Sequence, residues 1–378
     1  MRPFVKTVDS YRPGARTLPG HYYTSAEIFA EERERIFAHR WICAGRVADL
    51  SHGGDYRLVT VAGESVMVLR DQQGSLRAFY NVCRHRGTRL CDAPLGRLSE
   101  TIQCPYHAWT YALDGRLIGA PHMQEVEGFD KRDYPLHAVA LDVWEGFIFI
   151  SLAPDPVPLA EAFVPVRERF RRFALSTLVS VRRIGYDVRA NWKLILQNYS
   201  ECLHCPTIHP ELSTKLPYTS GANDLIEGAF LGGYMEIKPP HVSATLSGHA
   251  CGLPLGDLEA RDRTRAFYYT LFPTMMLSLH PDYAVFYTVW PQGPTESVVE
   301  CVWMVHPDSP TSPGYNIEDA ETFWDRTNRQ DWQICERSQL GVASRVYQPG
   351  PYSPRESMPA AWDREYLRQL GQVHDGGG

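Results

Sequence analysis

Two short cysteine–histidine motifs constrain the fold of this 378-residue chain more than any other feature. The first is Cys83-x-His85, and the second, Cys104-x-x-His107, follows after 18 intervening residues. Both lie among short segments rich in Val, Tyr and Phe, a pattern that predicts antiparallel hairpins. Two thiolates and two imidazoles on facing hairpin loops can hold one zinc ion, or a [2Fe–2S] cluster with both cysteines on one iron and both histidines on the other. The motifs therefore predict a small metal-binding β domain.

The spacing of these four residues favours the cluster over zinc. Structural zinc sites usually pair Cys-x-x-Cys with a later ligand pair, whereas this chain begins with Cys-x-His. Imidazole in place of thiolate lowers the negative charge on a cluster and raises its reduction potential, which suits an electron relay. A zinc knuckle and unligated core residues are the alternatives. Cys91, between the two loops, breaks both spacings and is interpreted as a small buried hydrophobic residue.

A second set of candidate ligands follows at Glu201, His204 and His209. The pattern over Asn191–His204 predicts a helix that Pro206 ends. On that helix Glu201 and His204, three residues apart, would share one face, and the turn after Pro206 would bring His209 back beside His204. Two histidines and one carboxylate form a facial triad that leaves three positions of an iron ion open. This segment therefore predicts a mononuclear iron site.

Three other interpretations of the segment are less favoured. A zinc hydrolase would need His-Glu-x-x-His on one uninterrupted helix, which is absent. The histidines are also consistent with isolated buried residues. Cys202-x-x-Cys205 is consistent with a redox-active or zinc-binding pair, but no second cysteine pair accompanies it.

The carboxylate of the triad is predicted from a long helix over Ile317–Leu340. On that helix Asp331 shares a face with apolar and small residues, namely Trp324, Thr327, Ile334, Cys335 and Ser338. Asp325 instead shares a face with Asn328 and Arg329, which is typical of a solvent-facing position. A buried carboxylate needs a partner, and an iron cation is an adequate one. A charge on the helix surface is the alternative for Asp331.

The length of the chain and the order of its segments predict two domains in an α+β fold. Residues 1–40 are predicted to be a helical segment, with Ser25 as its N-cap, that packs on the second domain. Residues 41–155 form the small β domain, and prolines between Ala153 and Pro158 mark its end. Residues 156–378 form the larger domain, which contains the two metal-ligand segments of the second site.

Several elements within these domains are predicted by their residue patterns. The small domain should contain an Asp114-Gly115 turn and the strands Asp55–Val61, Ser65–Arg70, Leu76–Val82 and Gly146–Ser151. The larger domain should begin with an amphipathic helix, Leu159–Phe173, and contain a β-rich aromatic segment, Phe267–Val305. Gly376–Gly378 are predicted to be disordered.

The composition excludes several classes of function. With 38 basic and 44 acidic side chains the formal net charge is -6, without the basic patch of a nucleic-acid-binding protein. No stretch approaches the roughly 18 apolar residues of a membrane span, and the first residues lack the hydrophobic core of a signal peptide. Nine cysteines, an odd number, predict thiols or metal ligands rather than a disulfide framework. We therefore expect a cytoplasmic protein without nucleic-acid or membrane partners.

Several of these motifs together resemble one known family. Cys83-x-His85 and Cys104-Pro105-Tyr106-His107, with Trp109 downstream, resemble the Rieske motif of the Rieske non-haem iron oxygenases. The 18-residue linker is a little longer than is common in that family, but it lies in a loop, where insertions are tolerated. The segments 197–210 and 330–341 are similar to those that carry the family's mononuclear iron ligands. The resemblance implies a small all-β Rieske [2Fe–2S] domain inserted into a larger, helix-grip-like catalytic domain with an antiparallel sheet.

The resemblance assigns a role to each candidate residue. It implies a [2Fe–2S] cluster held by Cys83, His85, Cys104 and His107, and a mononuclear Fe(II) held by His204, His209 and Asp331. Glu201 stands where the family has an acidic residue, Asp in many members, that bridges the Rieske histidine of a neighbouring subunit to an iron-ligating histidine. Asn198 corresponds to an asparagine near the iron, whereas Gln197 stands where many members carry Glu.

The implied activity is that of a terminal oxygenase α subunit that activates O₂ beside a small-molecule substrate. Its electrons would come from a separate reductase or ferredoxin, because no Gly-rich nucleotide-binding fingerprint is evident. In the family the electron relay crosses a subunit boundary, which implies a head-to-tail homotrimer. A Rieske electron carrier without oxygenase activity would leave the second histidine pair unused, and a scaffold with disused metal sites would lack ligands that are all present here.

The substrate class is predicted from aromatic residues and from the motif around His204. The aromatic residues lie on the predicted strands and are Phe267, Tyr268, Tyr269, Phe272, Tyr283, Phe286, Tyr287 and Trp290. Aromatic faces attract quaternary ammonium groups, and the motif looks like that of enzymes acting on choline-, betaine- or carnitine-like compounds. Hydroxylation or N-demethylation of a small quaternary ammonium or N-methyl compound is therefore favoured. The alternative is ring hydroxylation or O-demethylation of an aromatic acid, whose carboxylate would want an Arg or Lys anchor.

Overall fold

The computed structural model describes residues 3–372 and divides the chain into two compact units. Residues 37–162 form the smaller unit, and the larger unit combines the chain up to residue 36 with the chain from residue 163 onward. The boundaries between the units fall after residues 36 and 162, whereas the sequence predicted domain boundaries after residues 40 and 155. Gly376–Gly378, predicted to be disordered, lie outside the described residues.

The N-terminal segment belongs to the larger unit and is held to it by strand pairing and a buried ion pair. Its elements are β1 (Val5–Lys6), α1 (His21–Thr24) and α2 (Ala26–Glu32). The Ser25 hydroxyl accepts a hydrogen bond from the Ile28 amide at 3.1 Å, which confirms the predicted N-cap. At the end of α2, buried Glu32 accepts a hydrogen bond from the Trp192 indole at 2.8 Å and pairs with Lys193 at 2.5 Å.

The smaller unit consists of short antiparallel strands in three sheets. Its elements are β2 (Ile42–Arg46), β3 (Asp55–Val61), β4 (Glu64–Arg70), β5 (Leu76–Tyr80), β6 (Leu95–Arg97), β7 (Thr101–Gln103), β8 (Thr110–Ala112), β9 (Leu117–Gly119), β10 (Ala140–Trp144), β11 (Phe147–Ser151) and α3 (Leu159–Ala162). The sheets have the strand orders β5-β4-β3-β6, β7-β8-β9 and β10-β11-β2. The predicted strands and the Asp114-Gly115 turn, which joins β8 to β9, are confirmed with end shifts of one or two residues.

The larger unit is an eight-stranded antiparallel sheet with helices packed against it. The remaining elements are β12 (Val179–Val188), α4 (Trp192–Tyr199), α5 (Cys205–Ile208), α6 (Pro210–Lys215), β13 (Ala222–Ile226), β14 (Phe230–Glu236), β15 (Arg265–Leu271), β16 (Met275–Leu279), β17 (Tyr283–Gly293), β18 (Glu296–Val305), α7 (Ile317–Val342) and α8 (Ser357–Gln369). The sheet order is β1-β13-β14-β15-β16-β17-β18-β12. The long helix and the β-rich aromatic segment are therefore confirmed. Within residues 3–372, no helix is both long and apolar enough to cross a bilayer.

The predicted helix Leu159–Phe173 is wrong. Only α3, four residues long, is α-helical, and short 3₁₀ turns follow it. Pro165 lies in the middle of the predicted helix, where it removes a backbone donor and disfavours the α conformation of Val164. The hydrophobic periodicity instead reflects side chains such as Val166 and Phe170, which are buried from these turns.

Candidate metal centres

The two cysteine–histidine motifs form tight loops with the same backbone hydrogen bonds. In each loop the cysteine amide donates to the carbonyl five residues ahead, at 2.8 Å from both Cys83 and Cys104. The amide four residues ahead, that of Gly87 or Ala108, donates back to the cysteine carbonyl at 3.1 Å. Gly87 and Ala108 both have positive φ, +76° and +55°, which lets the chain reverse within each loop. The sequence therefore folds its two half-motifs into a matched pair of loops.

The donor atoms in these loops suit a metal cluster. Cys83 and Cys104 are buried, and the His85 and His107 rings have centroids 4.7 Å apart. His85 stacks on Trp109 at 4.8 Å, and its buried Nδ1 has no hydrogen-bond partner among the described residues. A buried imidazole nitrogen without a partner is costly unless a ligand meets it, and a metal ion is such a ligand.

A tyrosine hydroxyl supports one of the thiol ligands. The Tyr111 hydroxyl accepts a hydrogen bond from the Arg84 amide at 3.0 Å and lies 3.3 Å from Cys83 Sγ. Because its oxygen is already an acceptor, its proton is free to point at the sulfur. Hydrogen bonds to cluster sulfurs shift the reduction potential of such a centre. Cys91, interpreted as a buried hydrophobic residue, is partly buried and packs against the same core.

The second centre is formed by His204, His209 and Asp331. The Nε2 atoms of the two histidines lie 3.3 and 2.8 Å from the same Asp331 oxygen, Oδ1. One donor atom from each residue lies within 4.8 Å of the other two. Burial lowers the pKa of His204, but contacts with Asp331 and Glu201 outweigh it and raise that pKa to about 10. Two imidazoles that face one carboxylate oxygen can form a cation-binding site, and these three residues fit a 2-His-1-carboxylate iron site.

The structure corrects the local fold that was predicted around His204. Helix α4 ends at Tyr199, so Glu201 and His204 do not share a helical face. Pro206 does not end a helix but lies in the first turn of α5, and His209 lies between α5 and α6. The Glu201 carboxylate accepts hydrogen bonds from the backbone amides of the turn, including that of His204 at 3.3 Å. Glu201 and His204 are close, as predicted, because the Glu201 side chain folds back on the turn that contains both residues.

Each histidine is held by a hydrogen-bond acceptor on the side away from Asp331. His204 Nδ1 lies 2.6 Å from Glu201 Oε1, and His209 Nδ1 lies 2.7 Å from Gln330 Oε1. An Nδ1–H that donates to such an acceptor leaves Nε2 free for a metal and fixes the ring orientation. Sequence reasoning missed the role of Gln330. Its position directly before Asp331 was the only available signal.

The other predicted positions near this centre have different outcomes. Asn198 lines the cavity described below. Asp325 accepts a hydrogen bond from the Tyr186 hydroxyl at 2.8 Å, pairs with Arg329 at 2.9 Å and is not part of the metal-ligand group. Its partners therefore differ from those of Asp331, although both residues lie on α7.

The structure explains why this chain has Gln197 at a position where many members of the resembled family carry Glu. Gln197 does not line the cavity but donates hydrogen bonds to Asp363 at 2.5 Å and to the Tyr23 hydroxyl at 3.0 Å. Burial raises the pKa of Asp363 to about 7. A Glu at position 197 would place a second carboxylate against this buried acid, and the neutral amide avoids that repulsion.

The Cys202-x-x-Cys205 pair forms a disulfide, with Cα atoms 4.9 Å apart. The sequence predicted thiols or metal ligands rather than a disulfide framework, and this single bond is an exception to the thiols expected. The other seven cysteines form no disulfide bond among the described residues.

A cavity opens onto the His204–His209–Asp331 centre. It has an empty volume of about 1110 Å³, including its open mouth, so its size admits either a betaine or an aromatic acid. The sequence placed eight aromatic residues on strands, where alternate residues were expected to line one pocket wall. Of these eight, only Tyr268 and Tyr287 line the cavity. The residues that were missed are Tyr199, Tyr218, Tyr234, Trp324, Trp332 and Arg355. Trp324 could have been found, because it was already placed on the helical face of Asp331.

The comparison with known proteins agrees with this geometry. Residues 40–130 match the Rieske [2Fe-2S] domain, and residues 175–372 match the catalytic domain of the ring hydroxylating alpha subunit. The glycine betaine monooxygenase oxygenase subunit of Chromohalobacter salexigens is 32% identical over 371 residues, which cover 90% of this chain and 83% of that protein. The chain belongs to the Rieske non-haem iron oxygenases. The predicted α+β fold, with its Rieske domain and its antiparallel-sheet catalytic domain, is confirmed.

Two further relatives of this Rieske oxygenase are close enough to compare. The carnitine monooxygenase oxygenase subunit of Escherichia coli K12 is 36% identical over 201 residues, 53% of this chain and 54% of that protein. The crystal structure of the quaternary ammonium Rieske monooxygenase CntA with L-carnitine has 25% identity and a TM-score of 0.77, covering 94% of this chain and 95% of that one. The family carries a Rieske [2Fe–2S] cluster and a mononuclear iron, as the two ligand sets predict.

Loss of a cluster ligand should remove the cluster alone. We expect Cys83→Ala and His107→Ala each to abolish the visible absorption and the paramagnetic signal of the reduced Rieske protein. Because His204, His209 and Asp331 lie in the other compact unit, about one of three irons per chain should remain. Cys91→Ala, which removes a thiol between the two loops, is the matched control and should keep the cluster. Retention of both signals in the two ligand variants would refute the assignment.

Proposed function

We propose that this Rieske oxygenase is the terminal component that hydroxylates or N-demethylates a small quaternary ammonium or N-methyl compound. Cys83, His85, Cys104 and His107 would hold the cluster, and His204, His209 and Asp331 the Fe(II). When bound, these groups supply electron transfer and oxygen activation, which no side chain in the cavity can provide. The contribution of the protein is to hold the ligands, to orient the substrate and to exclude water.

The observation that carries this proposal is a continuous aromatic wall in the same cavity as the triad. The ring of Tyr199 lies 6.1 Å from that of Tyr268 and 5.8 Å from that of Tyr287, and Tyr268 lies 6.4 Å from Trp324. Each aromatic face attracts a quaternary ammonium group by about 0.5–2 kcal/mol, depending on desolvation. Four contiguous rings can therefore hold such a cation beside the iron ligands without a buried counter-charge.

The relatives support the same substrate class. The proteins compared above are named for glycine betaine and for carnitine, both of which carry a trimethylammonium group. One observation favours the second candidate, oxidation of an aromatic acid. Arg355 lines the cavity and offers the cationic anchor that an aromatic carboxylate would want.

The remaining parts of the machinery are proposed from the positions of its residues. Glu201 and Gln330 orient the two histidines, and Asn198 lines the cavity onto which the histidines open. We further propose a cytoplasmic homotrimer that receives electrons from a separate reductase or ferredoxin. In that assembly Glu201, whose side chain is 14% exposed, would meet a cluster histidine of a neighbouring subunit. A carboxylate with spare lone pairs can accept that additional hydrogen bond.

A single-turnover experiment tests this function without knowledge of the natural reductase. The protein is reduced chemically, freed of reductant and mixed with O₂ and one compound from a panel of glycine betaine, carnitine, choline and benzoate-type acids. We expect substrate-dependent oxygen consumption with an ammonium compound, together with formaldehyde or a hydroxylated product. Coupled turnover of a benzoate-type acid, with none for any ammonium compound, would establish the second candidate instead.

A further inference from the structure

We propose that Arg355 binds the carboxylate of a zwitterionic substrate, so that the cavity selects betaine-type compounds over simple ammonium cations. This inference rests on the function proposed above and narrows its substrate class. It assigns a second recognition point to the cavity, separate from the aromatic wall and from the iron ligands.

No acidic side chain among the described residues forms an ion pair with Arg355. Among the described residues it is the only Arg or Lys that lines the cavity, and it forms no ion pair there. Arg326 of the same unit, by contrast, pairs with Glu211 at 2.6 Å. A guanidinium presents donors in a planar fork that matches a carboxylate. The unpaired fork is therefore available to a ligand.

The backbone around Arg355 is fixed by local hydrogen bonds. Arg355 lies in a 3₁₀ turn, Pro354–Glu356, that leads into α8. The Ser353 amide donates to the Glu356 carboxylate at 2.8 Å, and the Glu356 amide donates to the Ser353 carbonyl at 2.9 Å. At the start of α8, the Ser357 hydroxyl donates to the Thr7 carbonyl at 2.9 Å, which attaches the turn to the N-terminal segment.

The side chain of Arg355 is also oriented toward the ligand space. Its guanidinium carbon lies 5.2 Å from the centroid of the Tyr218 ring, and Tyr218 lines the same cavity. Contact with an aromatic face restricts the guanidinium without occupying its N–H donors in hydrogen bonds. Such a pre-oriented donor loses less conformational entropy when it binds a carboxylate.

The distribution of charge in the cavity favours a ligand with two poles. The lining carboxylates are Glu201 and Asp331, both of which contact His204. The aromatic wall attracts an ammonium pole, whereas Arg355 repels it and attracts an anionic one. Choline carries only the ammonium pole, whereas glycine betaine and carnitine also carry an anionic pole for Arg355.

Binding measurements with matched ligands test this inference. Glycine betaine and choline share a trimethylammonium group and differ in a carboxylate against a hydroxyl, so calorimetric titration of each isolates the carboxylate. We expect Arg355→Gln to weaken glycine betaine binding by about 10–100-fold, because hydrogen bonds between charged groups are lost, and to change choline binding by less than about twofold. Arg355→Lys should recover part of the loss, since it keeps the charge but not the fork.

The control and the turnover measurement separate recognition from damage to the fold. Arg12→Gln removes the same charge from an exposed site outside the cavity and should leave both affinities unchanged. Iron content and the cluster spectrum should equal those of the wild type in all variants. In single turnover with saturating glycine betaine, Arg355→Gln should still form product.

The possible results distinguish this inference from the proposed function. If the wild type binds glycine betaine and Arg355→Gln binds it equally well, the anchor is refuted and the proposed function stands. An equal loss of choline and glycine betaine affinity would show a structural role and also refute the anchor. If the wild type binds neither compound but binds and oxidises a benzoate-type acid, both the proposed function and the zwitterion inference are overturned.

Discussion

Asp331→Ala will remove the mononuclear iron and leave the [2Fe–2S] cluster in place. The Nε2 atoms of His204 and His209 converge on Asp331 Oδ1, so the carboxylate completes a group of three donor atoms within 4.8 Å of one another. Two imidazoles alone bind Fe(II) weakly. Because loss of a residue that merely orients a ligand costs about 10–100-fold in metal affinity, loss of the ligand itself should exceed about 100-fold. Product in a single turnover should fall to the assay background.

Iron per chain, measured together with the paramagnetic signal of the reduced cluster, checks this result. Asp325→Ala is the matched control, because Asp325 lies on the same helix but is bound by Tyr186 and Arg329. It should retain both iron sites and turnover. Full iron and activity in Asp331→Ala, combined with their loss in Asp325→Ala, would show that the wrong carboxylate was assigned.

The candidate cluster ligands were predictable from the sequence because their spacing is local. Cys83 and His85, or Cys104 and His107, lie within one tight loop, so their relative positions depend on a few backbone angles. Asp331 could be separated from Asp325 because α7 is long and regular, and helical periodicity then fixes which residues share a face. The residue assignments remain predictions that the variants test.

The substrate cavity was not predictable in the same way because it is assembled from distant segments. Its wall combines Tyr199 at the end of α4 with Tyr268 and Tyr287 on two strands, and Arg355 comes from a turn before α8. Alternation along one strand indicates which residues share a face of the sheet but not which of them reach a cavity. Six of the eight aromatic residues chosen from the sequence therefore lie outside the cavity wall, and four of those six are buried elsewhere in the core.

The error around His204 has a different physical cause. The pattern over Asn191–His204 is compatible with a longer helix, but the Glu201 carboxylate accepts the backbone amides of Leu203 and His204. An acidic side chain that binds nearby amides competes with helix formation and stabilises a turn. The same contacts place Glu201 against His204. The predicted helix was therefore wrong, although the predicted proximity of Glu201 and His204 was correct.

Glu201→Gln will leave both metal sites filled and almost abolish product formation. Glutamine nearly preserves the shape of the side chain, and its single carbonyl oxygen can replace Oε1 as the acceptor for His204 Nδ1, although the turn amides then lose Oε2 as their acceptor. Its charge is lost, and with it the charged contact proposed to join His204 to a cluster histidine of a neighbouring subunit. Residues that support metal-bound histidines commonly contribute about 10–100-fold, and a residue on the electron route should reach or exceed the upper end.

The decisive measurement is product per chain in a single turnover, starting from protein whose cluster has been reduced and whose iron has been counted. Glu201→Asp keeps the charge on a shorter side chain and should retain more activity than Glu201→Gln. Glu211→Gln removes an equivalent charge outside the cavity, where Glu211 pairs with Arg326, and should behave as the wild type. Normal turnover in Glu201→Gln would mean that electrons take another route. Loss of iron from that variant would mean that the charge of Glu201 holds His204 in the position needed to bind the iron. In that case the loss of product would follow from the missing iron and not from a broken electron route.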